Sequence, residues 1–417
     1  MDKLLIKGGR ALRGEVKISG AKNAVLPIMT ATIINPGKYC LKNVPHLRDT
    51  ITMLKLLKMI GAKTHFENNI MEIDTSLCNN PVAPYDLVKT MRASFYVLGP
   101  FMSRFGHAEV SLPGGCAWGP RPVNYHISAL EKLGAKIKLN NGMIIAKGKL
   151  TGTEIVFENT SVGATGNILM AAVTANGKTT IRNAALEPDI IALVEFLKLM
   201  GAEIDGEGTD TIVINGHNDL NANIEYNIIP DRIEAATFLI AAAITKGKIT
   251  LVNANPEHIQ IIIDKLRDVG AKISLKDESI TIDAQNIEIK PVDIRTDVYP
   301  GFPTDTQAQW MALMTKAKGS STIIDDVYKD RFSHIPELSR FGAKISLNEN
   351  IASVIGQSKL YGAPVMSTDI RASASLIIGA LASEGESIIS RIYHIDRGYE
   401  KIEKKLQQLG AEISRIK

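Results

Sequence analysis

Leu57-Lys58-Met59-Ile60-Gly61-Ala62-Lys63 decides how this chain folds, because the same phrase returns five more times. It recurs at 130–136, 197–203, 266–272, 338–344 and 406–412, each time as Leu-x-x-apolar-Gly-Ala-Lys/Glu. The glycines stand at 61, 134, 201, 270, 342 and 410, in steps of 73, 67, 69, 72 and 68. A second glycine column runs upstream at 37, 106, 177, 247, 319 and 385, in steps of 69, 71, 70, 72 and 66. Two columns keeping one period make the chain six copies of a repeat of about seventy residues.

The physics of each repeat is readable. Leu, an apolar residue three positions on, then Gly is the last turn of an amphipathic helix closed by a left-handed cap. Alternation follows at once, as in Lys136-Ile137-Lys138-Leu139 and Lys344-Ile345-Ser346-Leu347, which predicts a half-buried strand. The upstream glycine is expected to close a helix too, as in Ile168 to Asn176 before Gly177, with a strand at Thr179-Thr180-Ile181-Arg182. Each repeat therefore reads helix, strand, helix and a pair of strands, with a further strand leading in. Its apolar helices should lie inside and its sheets around them. Six repeats divide into two domains of three. The polar stretch from Gly216 to Asn223 is the expected crossing, and a cleft between the halves is the expected ligand site.

Composition narrows the functional classes. A chain of 417 residues implies two or three domains, and 45% hydrophobic with 22% charged residues is the make-up of a soluble globular protein. The start, Met1-Asp2-Lys3-Leu4-Leu5-Ile6-Lys7, is broken by charge too early for a signal peptide. The apolar stretch Ala235 to Ile244 is well short of the ~20 residues of a membrane span. Three cysteines without a CxxC pair and eight scattered histidines without HExxH point to a cytoplasmic protein with no metal and no cofactor. A net charge of +4, 5% aromatics and no long basic run argue against nucleic acid, and no membrane or obligatory protein partner is expected. Gly177-Lys178-Thr179-Thr180 mimics the end of a phosphate-binding P-loop, but Ala172 stands where its first glycine belongs.

The chemistry sits where the repeat breaks. Lys22, Arg92, Arg232 and Arg371 each fall at the start of a repeat's first helix, about 40 residues before the Gly-Ala pair. A cation is slightly unfavourable beside the positive end of a helix, so a set of four favours an anionic ligand over salt-bridged surface residues. Asp305 occupies the same place in the fifth repeat, either as an ordinary N-terminal helix charge or as a base facing those cations. Arg331 and Arg397 are loop arginines beside Phe332 and Gly398. Leu112-Pro113-Gly114-Gly115-Cys116-Ala117-Trp118-Gly119-Pro120-Arg121-Pro122 reads as a surface loop able to move over a site. Its thiol could donate a proton or, near Arg121, attack as thiolate, whereas Cys40 and Cys78 suit apolar strands.

Taken together, Ile18-Ser19-Gly20-Ala21-Lys22-Asn23-Ala24, Gly114-Gly115-Cys116, Gly119-Pro120-Arg121-Pro122-Val123 and Asp369-Ile370-Arg371-Ala372-Ser373-Ala374 resemble the UDP-N-acetylglucosamine 1-carboxyvinyltransferase family of enolpyruvyl transferases, over essentially the full length. The resemblance implies a mixed α/β fold of two inside-out α/β barrel domains, each of three βαβαββ-like repeats. Residues 22–229 would form the first domain, with the Cys116 loop, and residues 1–21 plus 230–417 the second. It implies transfer of the enolpyruvyl group of phosphoenolpyruvate to the 3-hydroxyl of UDP-N-acetylglucosamine by addition and elimination, the first committed step of peptidoglycan synthesis.

By the same resemblance, Lys22, Arg121 and Arg397 would hold phosphoenolpyruvate, with Asn23, Arg371 and Arg331 near it. Arg92, Arg121, Pro122, Val123, Asn124, Tyr125, Ser161, Val162, Gly163, Asp305 and Val327 would line the UDP-sugar site. Asp305 would take the proton of the 3-hydroxyl, and Cys116 would deliver one to the enol methylene and be open to alkylation by fosfomycin. Catalysis would rest on Cys116, Asp305, Lys22 and Arg397. Asn124 departs from the Asp of many members, and Asn159-Thr160 from a more basic step. The alternative within the fold is 3-phosphoshikimate 1-carboxyvinyltransferase, against which the Gly-Gly-Cys loop argues. A non-catalytic or RNA-end-processing relative would call for a basic face or a nucleophilic His, and neither is evident.

Overall fold

The sixfold period becomes six four-stranded sheets. A computed structural model describes residues 2–112 and 123–417, so Cys116, Arg121 and Pro122 lie outside the described residues. In every sheet a leading strand pairs parallel to the strand after the first helix, and two antiparallel strands follow, which form a closing hairpin in all but the last repeat. The third repeat shows the plan, with Glu154–Val156 parallel to Gly177–Arg182, then Thr211–Gly216 and Glu203–Asp205 antiparallel.

Three sheets borrow strands across the sequence. The first repeat takes its leading strand, Ile224–Asn227, from the end of the third repeat, where it lies parallel to Lys38–Lys42. The last repeat is completed by the N-terminal strand Lys3–Lys7, antiparallel to both Glu386–Ser390 and Glu412–Ile416. Arg13–Lys17 opens the fourth repeat beside Lys248–Val252. The chain thus forms two compact domains, residues 20–229 and residues 1–19 with 230–417. The stretch 216–223 is therefore no crossing. It leads into Ile224–Asn227 of the same domain, and the chain leaves that domain only after Ile229.

Each domain is built inside out. Helices Lys22–Ala31, Leu98–Phe105 and Val162–Ala172 sit in the first core. Arg232–Ile244, Thr304–Met314 and Ile370–Ala382 sit in the second. These helices are apolar nearly all round, and in Arg232–Ile244 every residue from Ile233 to Ile244 is buried. The strands bury alternate residues against them, as period-2 patterning requires. The second helices, such as Arg48–Ile60 and Gln260–Val269, show one apolar face only.

The Gly-Ala glycines all adopt left-handed backbone, with φ between 89° and 112°, where a side chain would be strained. Gly247 of the upstream column is different. Its φ is ordinary, and glycine is needed because a Cβ would lie 2.3 Å from the Leu12 carbonyl oxygen. The helix expected up to Asn176 stops at Ala172, because Asn176 already pairs with Thr151 and its N–H is donated to the Leu150 carbonyl. In the second and sixth repeats a helix is replaced in part by the 3-10 turns Arg92–Val97 and Ile392–Arg397.

Candidate active site

Asp305 is the second residue of Thr304–Met314, where the sibling helices carry Arg232 and Arg371. Pro303 sets extended backbone before the first turn, and the positive end of the helix dipole favours a carboxylate there. Arg371 Nη2 lies 2.6 Å from Asp305 Oδ2, and Arg331 Nη1 lies 2.8 Å from Oδ1. Both guanidiniums are over nine-tenths buried, while the carboxylate keeps 26% of its surface. The N-cap Asp369 holds Arg371 in place by accepting the N–H groups of Arg371 and Ala372. Arg331 also donates to Thr304 Oγ1 at 3.0 Å and lies over the Tyr328 ring. Its buried Nε has no hydrogen-bond partner among the described residues.

Burial works to raise the Asp305 carboxyl, but Arg371 and Arg331 beside it, and Arg232 further off, hold it well below the usual carboxylate range. Burial pulls Arg371 down, and Asp305 and Tyr399 more than reverse that. In this arrangement Asp305 is ionised and a weak base. It gains basicity when another anion draws the arginines away.

Arg397 ends its 3-10 turn half-buried. The turn is pinned by Asp396, which Arg415 grips with two nitrogens at 2.7 and 3.0 Å. Two residues on, buried Tyr399 bonds to Thr237 Oγ1 at 2.8 Å and accepts from Gln309 Nε2, which also donates to the Asp305 carbonyl. Arg232 follows the N-cap Asp231 and lies over the Tyr299 ring. Val327 is partly exposed, with its N–H directed at Asp325.

In the first domain Lys22 opens its helix and pairs with Asp49 at 2.8 Å, and both side chains are largely buried. Asn23 follows, half-buried, and Arg92 begins the turn Arg92–Val97. Val123 leads into Asn124–Lys132, and Ser161 caps Val162–Ala172 by accepting from the Ala164 N–H. The two helix starts are joined. Asn159 Nδ2 donates to Tyr125 Oη at 2.8 Å, and Asn167 Nδ2 to His126 Nδ1 at 2.9 Å. A Cβ on Gly163 would stand 3.3 Å from the His126 ring. Burial first, then Arg92, pulls His126 down to about 3, so it is neutral and can accept. Helix N-termini of this kind suit an anionic diphosphate.

Some supporting residues escape a reading of the sequence. Asp49 had a signal, since Asp189 holds the same place in its repeat and both are buried. Asn167, a lone amide in an apolar helix, ties His126 to the Phe95 carbonyl and the Gly99 N–H. Asp325 gave no signal, because Asp325-Asp326 after a strand reads as a solvated turn.

The family profile of EPSP synthase (3-phosphoshikimate 1-carboxyvinyltransferase) matches residues 6–406. A UDP-N-acetylglucosamine 1-carboxyvinyltransferase of Chlorobaculum parvum is 53% identical, covering 100% of this chain and 98% of its own. The chain belongs to the EPSP synthase family, on its UDP-N-acetylglucosamine 1-carboxyvinyltransferase branch. A second relative of that branch, from Geotalea uraniireducens, is 52% identical with 100% of both chains covered. Among solved structures, the enolpyruvyl transferase NikO from Streptomyces tendae superposes with a TM-score of 0.90 at 24% identity, over 100% of this chain and 99% of its own. EPSP synthase from Acinetobacter baumannii follows at 0.79 and 18%, with 100% of both chains covered. These likenesses fix the two-domain inside-out α/β fold of the enolpyruvyl transferases. No described helix is long and apolar enough to cross a membrane.

Proposed function

We propose that the chain transfers the enolpyruvyl group of phosphoenolpyruvate to the 3-hydroxyl of UDP-N-acetylglucosamine and releases phosphate, the step that commits a nucleotide sugar to peptidoglycan. Full-length identity of 53% to an enzyme of that name carries the reading, whereas the EPSP synthase structure is only 18% identical. A proton adds to the methylene carbon of the enol, and the sugar oxygen bonds to the neighbouring carbon as the hydroxyl proton leaves. The tetrahedral adduct then loses a methyl proton and phosphate, restoring the double bond. Such a path needs an acid, a base and fixed cations rather than redox chemistry.

The chain's own residues divide these tasks. Lys22, Arg121 and Arg397 hold the phosphate and carboxylate of phosphoenolpyruvate, with Arg331, Arg371 and Asn23 beside them. Arg92, residues 121–125 and 161–163, and Val327 hold the UDP-sugar. Asp305 receives the hydroxyl proton and Cys116 supplies one. The pairing of Asp305 with Arg331 and Arg371 supports an order of events, in which the anions of phosphoenolpyruvate draw the arginines over and leave Asp305 a stronger base. The same reading makes it a cytoplasmic enzyme, where both substrates are produced. Mass spectrometry of the protein incubated with both substrates tests the reaction. The expected product is the UDP-sugar with an enolpyruvyl ether at O3, and unchanged UDP-sugar contradicts it.

A further inference from the structure

Asp325 lies at the end of the strand Ser320–Ile324 and is fully buried, and among the described residues no guanidinium or ammonium hydrogen-bonds to it. Its Oδ1 accepts from Thr296 Oγ1 at 2.8 Å and from the N–H groups of Tyr328 at 2.8 Å and Val327 at 3.2 Å. Its Oδ2 accepts from Thr304 Oγ1 at 2.8 Å. A carboxylate can only accept, so the Thr304 hydroxyl must point its hydrogen at Asp325. The lone pairs of Thr304 then face outward, and one receives Arg331 Nη1 at 3.0 Å, the nitrogen that also grips Asp305. Asp325 thereby does two separable things. One oxygen shapes the 325–328 turn that carries Val327, and the other fixes the polarity of a hydroxyl that seats Arg331.

We propose that Asp325 is a positioning residue of the reaction, acting through Thr304 to aim Arg331 at the anionic substrate. This rests on the reading of Arg331 as part of the phosphoenolpyruvate site. The variant Asp325→Asn separates the two tasks. Its amide oxygen still accepts from the turn and Thr296, but its NH2 donates to Thr304 and sets the hydroxyl hydrogen against Arg331. A hydrogen bond to a charged group is worth about 1.5–3 kcal/mol, so a loss of about tenfold or more is expected at the substrate that Arg331 meets.

The test is steady-state kinetics on the full chain with both substrates, comparing wild type, Asp325→Asn, Thr304→Val, the double variant and Arg331→Ala. The proposal expects KM for phosphoenolpyruvate to rise about tenfold in Asp325→Asn, with affinity for the UDP-sugar held within about twofold. It also expects Asp325→Asn to add little once Thr304→Val has removed the intervening hydroxyl, because the two act in series. Equal weakening of both substrates, or full additivity in the double variant, overturns it. If Asp325→Asn does not fold, Thr304→Val alone must raise KM for phosphoenolpyruvate, and an unchanged value contradicts the proposal. Arg331→Ala separates the two ideas. An unchanged KM there removes the reading of Arg331 itself, whereas a raised KM with a silent Asp325→Asn removes only the role of Asp325.

Discussion

Asp305 carries the sharpest consequence of the site's electrostatics. Two buried arginines hold it ionised, so in the free enzyme it stays deprotonated to well below pH 3.8. A carboxyl depressed by folding adds stability above its unfolded value and loses it as pH falls through the folded one, so this cluster should cost no stability between pH 7 and 5. Substrate anions that recruit the arginines raise the Asp305 pKa in the complex. The acid limb of kcat, which reports the complex, should therefore lie at higher pH than that of kcat/KM, which reports the free enzyme. Coincident limbs would speak against the arginine hand-over. Asp305→Ala should lower turnover by about 100-fold or more while calorimetry still shows UDP-sugar binding, and near-normal turnover would remove Asp305 as the base. Asp305 could be picked out of the sequence because it broke a column of cations. Arg371 was among the cations it was expected to face, whereas Arg331, a loop arginine of its own repeat, could not be assigned to it because the two meet only in the folded domain.

At the scale of elements, the glycine columns were legible because a helix end imposes a local demand that no distant contact can supply. Gly270→Ala, at φ 111°, should cost about 1 kcal/mol in denaturant unfolding. Gly247→Ala should cost clearly more, because its Cβ would meet a backbone oxygen that cannot swing aside. Equal costs would contradict the distinction between strain and close approach. The same local logic failed where a neighbouring strand decides the outcome. Ile168 to Asn176 carries helical spacing throughout, yet Asn176 is claimed by Thr151, so the helix stops early. Asp325 was invisible for a related reason, since only the tertiary fold encloses that turn.

For the whole molecule, six repeats could be counted from the sequence, but not the borrowing of strands that links them. The N-terminal strand pairs Lys3 with Ile416 and Lys7 with Glu412, which brings the two chain ends to neighbouring strands of one sheet. Residues 230–417 alone lack both Lys3–Lys7 and Arg13–Lys17 and leave two sheets a strand short. They should not unfold cooperatively in thermal circular dichroism. The same segment joined through a short glycine linker to residues 2–19 should. Cooperative melting of 230–417 by itself would mean that the N-terminal strands are dispensable to that domain.

The central claim is the choice of acceptor. Phosphate release from phosphoenolpyruvate, followed with UDP-N-acetylglucosamine and in parallel with shikimate 3-phosphate, tests it most directly. Release with the UDP-sugar and none with shikimate 3-phosphate is the predicted result. Release with shikimate 3-phosphate in place of the UDP-sugar would contradict the assignment, and release with neither would leave the cation cluster without its reaction.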